Sequence, residues 1–254
     1  MLPSSSIIAR LFRNDLRLVA RDRLLVMLLS LVAVLAVVVR FVLPQLDASL
    51  ARNGILPNAS TALRFSDTFA LWVVFIGLWQ AALMPGTVFA FLLLDEKEDG
   101  TLVAMRVTPV PLSQYLGYRV TVPAVFAFVF AVVLTPAIGF APVPAWQLIL
   151  FALGAATTAP IVTLLIAMFA ADKVQGFAFT KFGGIAGLII IFGWFTPAPW
   201  QWLLCAFPPF AIAKGYWMAV EGAPGWWAPL IVGSLVQLWA LRALLGRLAR
   251  RAPA

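Results

Sequence analysis

Apolar residues run through this chain in long blocks separated by short polar joints, at 24–43, 67–94, 120–140, 146–170, 182–204 and 229–246. A helix that crosses a bilayer needs about 20 mostly apolar residues, so each block is a candidate span. The pattern predicts an all-α membrane protein with six transmembrane helices in a single domain over residues 1–254. The second block would be about 42 Å long at 1.5 Å per residue. It must therefore tilt, kink at Pro85-Gly86 or extend beyond the membrane.

The joints differ in character. Ahead of the first block, Arg10, Arg13, Asn14, Arg17 and Arg21 recur at helical spacing, with Ile8, Leu11, Phe12, Leu16 and Val19 on the other face. This predicts an amphipathic elbow helix over 5–22, lying in the cytoplasmic interface and in contact with membrane lipid. The pattern leaves open whether it is only a basic anchor or also touches a partner. Residues 44–66 form a loop rich in turn formers with too little material for a separate domain. The APVP joint at 141–144 leaves room only for a tight turn, which makes the third and fourth helices antiparallel neighbours. From Thr196 to Ala228 the chain is apolar but broken by Pro197, Pro199, Pro208, Pro209, Gly215, Gly222, Pro224 and Gly225. A straight span cannot absorb these. The segment 197–228 is expected to hold two short re-entrant helices, about 200–207 and 210–220, shielded by protein in the outer leaflet. Trp194, Trp200, Trp202, Trp217, Trp226 and Trp227 gather there, either as an interfacial belt or as a lid over an exit path.

Composition sharpens this picture. Hydrophobic residues make up 63% and charged ones 11% of 254, with mean hydropathy +1.00, against about 25% charged in soluble chains. The net charge of +8 does not imply nucleic acid, because the cations sit at the ends of apolar helices. With a cytoplasmic N-terminus, fourteen Lys and Arg fall inside and four fall outside: Arg40, Arg52, Arg64 and Lys214. That asymmetry places both termini in the cytoplasm of a cell inner (plasma) membrane protein. The first block lacks a small-x-small cleavage site and reads as an uncleaved helix. One cysteine, Cys205, leaves no internal disulfide, and the absence of histidine removes imidazole catalysis and His-based zinc sites. No metal or other cofactor is expected in the chain.

No lysine closes a phosphate-binding GK[ST] loop. The chain is therefore no enzyme by itself, and any ATP-driven work falls to another polypeptide, which would bind ATP and Mg. The carboxylates lie at helix ends or in loops, which disfavours an ion-coupled carrier. Inside the spans the polar residues are mild. Most are interhelical glue. Those that best suit a substrate path are Gln80 with neighbouring Trp79, Thr87 and Gln237, because a long amide facing lipid is costly.

The remaining charged stretch is 95–119, DEKEDGTLVAMRVTPVPLSQYLGYR. Asp95, Glu96, Lys97, Glu98 and Asp99 lie where a helix leaves the membrane. Gly100 permits a sharp turn, and Thr101 can cap a short helix bearing Leu102, Val103 and Met105. Thr108-Pro109 and Pro111 end it, and Ser113 can cap the next span. A solvated acidic loop and a force-transmitting helix both fit these residues.

The run EKEDGTL, VTPVPLSQYL and the following Arg119 resembles the cytosolic loop of ABC-2 type exporter permeases. FSD at 65–67, ADKVQGFAFTK at 171–181 and the broken FPPF near Pro208 extend the likeness over nearly the whole chain. The resemblance implies a six-helix permease that pairs with a second permease copy or paralogue and docks cytosolic ABC ATPase subunits. It implies that Glu96, Lys97, Glu98, Asp99, Gly100, Thr101, Leu102 and Met105 form a coupling helix braced by the elbow. It also implies a second contact at Asp172, Lys173 and Gln175. The short form without an ectodomain looks most like permeases for fluoroquinolone or other drug export, although family members also move lipid, polysaccharide, haem or sodium. A weakly polar, aromatic pathway suits an amphipathic molecule. The rival reading is a non-transporting assembly or sensor protein that recruits a cytosolic partner through the same loop.

Overall fold

A computed structural model describes residues 4–53, 65–99 and 112–251. Among these no strand occurs. The helices are α1 (Ser4–Arg21), α2 (Arg23–Arg52), α3 (Phe65–Glu98), α4 (Leu112–Ile138), α5 (Ala145–Phe169), α6 (Lys173–Phe195), α7 (Ala198–Leu204), α8 (Pro208–Val220) and α9 (Trp227–Arg251). Six of them, α2 to α6 and α9, are long and apolar enough to cross a membrane.

Helix α3 is the axis of the bundle, and every residue from Ala81 to Leu94 is buried. It runs as a 3-10 turn, an α-helical turn, a π-helical stretch at Phe75–Gln80, and a regular α-helix through Pro85. The helix thus runs past the predicted block at both ends, and the departure from α geometry lies one turn ahead of Pro85-Gly86. Two glycines let neighbours close on this axis. Thr135 of α4 donates from Oγ1 to the Gly77 carbonyl at 3.2 Å, and Thr163 of α5 does so to the Gly86 carbonyl at 2.8 Å. A β-carbon on Gly86 would lie 2.6 Å from the Ala159 carbonyl oxygen. In the apolar interior such hydroxyls link neighbouring helices through backbone carbonyls.

The tight turn between α4 and α5 is as expected, with Gly139 in the left-handed region at φ +79. The Arg40 guanidinium packs over that glycine and donates to the Ala137 carbonyl at 2.6 Å. At the same end of the bundle Asp47 accepts from the Phe65 and Ser66 amides, both at 3.0 Å, and Tyr216 donates to the Ala141 carbonyl.

The fifth span is displaced from its expected position. It begins at Lys173, not 182, and ends at Phe195, not 204. Asp172 caps its N-terminus, its side chain accepting from the Gln175 amide at 2.8 Å. The polar residues 173–181 are therefore its first turns, and Pro197 stops it early. The two short helices fall at Ala198–Leu204 and Pro208–Val220, close to the expected places. Their connection packs toward the middle of the bundle, since Phe207 meets the Trp79 ring at 5.7 Å and Pro208 closes on Gly233 of α9. The other end of α8 returns to the rim, where Trp217 donates to the Ala70 carbonyl at 3.2 Å.

In α1 the buried face is set by Asp15 and Val19, with Leu11 half-buried, whereas Phe12 and Leu16 are exposed. The inward face of this helix, Ser4–Arg21, centres on an acid.

Candidate functional site

Two sets of polar groups stand out, one at each level of the bundle. The first gathers the ends of α1, α3, α4 and α6. Arg119, two turns into α4, is almost wholly buried. It donates from Nη1 to Asp15 Oδ2 at 2.9 Å and from Nη2 to Glu96 Oε1. Its Nε donates to the Tyr115 hydroxyl at 3.1 Å, and that hydroxyl donates onward to Glu96 Oε2 at 2.6 Å. Tyr118 donates to Asp15 Oδ2 at 2.7 Å. A planar guanidinium with five donors can serve two carboxylates and a phenol at once. Two carboxylates about one guanidinium leave a buried cluster that is stable only while complete.

A second link lies beside it. Lys173 pairs with Asp95 at 2.9 Å and with Asp22 at 3.2 Å. Burial alone would raise the Asp22 carboxyl, but the Lys173 ammonium and the Leu24 and Leu25 amides outweigh it and hold it below its ordinary value of 3.8. Lys97 donates to the Ala170 carbonyl at 3.1 Å, and Glu98 accepts from the Lys173 amide at 3.3 Å. Gln175 Oε1 accepts from the Ala171 amide at 3.0 Å. The end of α3 and the start of α6, two segments that the coupling motif had singled out, are thus brought together. Asp99 caps the C-terminus of α3 and is exposed. Gly100, Thr101, Leu102 and Met105 lie outside the described residues.

The second set lies deep in the bundle. Gln237 of α9 accepts from the hydroxyls of Thr157 and Thr158 at the junction within α5, while its Nε2 is buried and without a partner among the described residues. The same holds for Trp79 Nε1 and Gln80 Oε1 in the π-helical stretch of α3. Trp79 and Thr158 line one gap of about 10 Å³, closed by Pro209 of the hairpin tip, which is room for about one water. Thr87, by contrast, returns its hydroxyl to the Leu83 carbonyl of its own helix at 2.9 Å. A buried polar atom without a partner costs about 1–3 kcal/mol. Three at one depth, two of them in an irregular stretch of helix, make an uncommon concentration.

Reading the chain alone had passed over Asp15, Asp22, Asp95, Tyr115, Tyr118 and Arg119 as a group. The available signal was an arginine preceded by two tyrosines at the head of an apolar span, which has to find a carboxylate if the span is buried there.

Comparison with known proteins agrees with this architecture. The family described as fluoroquinolones export permease protein Rv2686c-like matches residues 15–245. Two relatives, the fluoroquinolones export permease proteins MT2760 and Rv2686c, come from Mycobacterium tuberculosis strains CDC 1551 / Oshkosh and ATCC 25618 / H37Rv. Each is 33% identical over 241 residues that cover 90% of both chains. No solved structure matches the chain significantly. Six membrane-capable helices and a match running almost end to end leave one assignment: this multi-pass membrane protein belongs to the Rv2686c-like family of fluoroquinolones export permease proteins.

Proposed function

We propose that this chain is the membrane subunit of an ATP-driven ABC-2 type exporter that moves a drug-like, amphipathic aromatic molecule outward by alternating access. A separate cytosolic ATPase subunit supplies the energy, and a second permease copy or paralogue completes the pathway. The protein sits in the plasma membrane with both termini in the cytoplasm. The relatives' role in fluoroquinolone export supports the cargo class.

One observation carries the coupling. Arg119 ties Glu96, at the end of α3, to Asp15 of α1 from within α4. The two helices that flank residues 100–111 in the chain are thus joined by a buried ion cluster. Lys173 extends the joint to α6. A push on that segment from an ATPase would reach four helices together, where a loop hung on two independent helices would absorb it.

Trp79, Gln80 and Gln237 are the proposed substrate contacts. The gap beside Trp79 admits only about one water, so the path is closed here and opens when the hairpin tip at Phe207–Pro209 moves off α3. Inverted membrane vesicles containing the chain and a P-loop ATPase partner test this reading. Fluoroquinolone should accumulate inside them only when ATP and both proteins are present. Accumulation without the ATPase, or none in any combination, contradicts it.

A further inference from the structure

The four cations on the far side of the charge count have different fates. Arg40 is committed to the Ala137 carbonyl and Arg52 to the Ala48 carbonyl of its own helix. Arg64 lies outside the described residues. Lys214 is different: it lies in the middle of α8, half-buried inside the hairpin, and among the described residues no carboxylate pairs with it. A cation at such a place runs against both the inside bias of Lys and Arg and the cost of desolvating an ammonium.

Its surroundings are built. Gln201 of α7 is buried, and its Nε2 donates to the carbonyls of Gly193 and Thr196 at the C-terminal end of α6, at 3.0 and 2.9 Å. Those two bonds fix which way the amide faces, and its Oε1 accepts from Lys214 Nζ at 2.5 Å. An ammonium has three N–H donors, and the amide takes one. The neighbours of Gln201 in α7, Trp200 and Trp202, are 62% and 51% exposed. A positioned cation, with donors left over, thus stands behind a helix that exposes two indoles, one on each side of Gln201.

We propose that Lys214, positioned by Gln201, is a recognition site for the carboxylate of an amphipathic aromatic acid on its way out, with Trp200 and Trp202 offering the apolar surface for its ring. The inference rests on the export reading above and narrows its substrate class, since fluoroquinolones carry a carboxylate on a fused aromatic ring. The carboxylate gains a charge-assisted bond that water at the surface would otherwise provide, and the indoles accept a flat ring. Selectivity follows, because a neutral ester of the same molecule presents no anion to the ammonium.

The test is transport into inverted vesicles that contain the ATPase partner, with a fluoroquinolone and its methyl ester as paired substrates. Lys214→Gln, which can still bond to Gln201, should raise KM for the acid at least about tenfold with kcat and the ester unchanged. Lys214→Arg should restore most of the affinity for the acid. An equal loss for acid and ester, at equal protein level, would mean a merely structural lysine and overturn the proposal. So would an unchanged KM for the acid. If the unsubstituted chain exports neither compound, the export reading fails first and takes this one with it.

Discussion

Arg119 and Asp15 are 104 positions apart in the chain, yet the guanidinium of one donates to the carboxylate of the other at 2.9 Å with both side chains buried. That bond makes α1 part of the bundle and not a free anchor. Removing the cation leaves Asp15 and Glu96 as uncompensated neighbours. Arg119→Met should therefore destabilise the protein by about 3–5 kcal/mol. The triple change Arg119→Met, Asp15→Asn and Glu96→Gln should recover a large part of that loss. Unfolding in mixed micelles measures both.

The crossing of α3 and α5 gives a second expectation. A β-carbon on Gly86 would meet a backbone oxygen that cannot swing aside, so Gly86→Ala should cost about 1–3 kcal/mol as an overpacked contact. Thr163→Val removes a hydroxyl shared between the Gly86 carbonyl and the Ala159 carbonyl of its own helix and should cost about 0.6 kcal/mol, the usual worth of an interhelical hydrogen bond in a membrane. The same micelle unfolding assay ranks the two, and a larger loss for Thr163→Val would reverse the assignment.

Asp22 predicts a pH dependence. Its folded carboxyl is held below 3.8 by Lys173 and two amides. A depressed carboxyl contributes stability that is complete above its unfolded value and is lost as pH falls through the folded one. The link between α1, α2 and α6 should thus be intact at neutral and mildly acid pH and weaken only below about pH 4. Proteolysis at the α1–α2 joint, followed against pH, reads this. Asp22→Asn should be susceptible at every pH and flatten the profile.

The spans were legible in the sequence because hydropathy over twenty residues is a strong signal, and the proline-rich stretch announced the two short helices. The fifth span was misplaced for a definite reason. Lys173, Gln175 and Lys181 look like a loop until Asp172 is seen to cap the helix and the carboxylates of Asp22 and Asp95 to receive the lysine. The polar cluster around Arg119 was illegible because its members come from three helices, and one sequence does not say which turns face one another. Glu96 shows the consequence. Its motif suggested a side chain offered to a partner, whereas its carboxylate is spent on Arg119 and Tyr115. Charge reversal there would break the bundle before it could report on docking. Gln80, Trp79 and Gln237 were legible as polar groups in apolar helices, but the π-helical stretch that holds the first two was not.

Docking is therefore better probed between α3 and α4 than at Glu96. The central claim is that the segment between α3 and α4 is the face an ATPase engages in the cytoplasm. With Cys205, the only native thiol, replaced by Ser, single cysteines at Leu102 and Ser60 can each carry a photo-crosslinker in cells that express the partner ATPase. The account predicts a permease–ATPase adduct from position 102 and none from position 60. An adduct from position 60, or none from 102 in a variant that still exports drug, would contradict it.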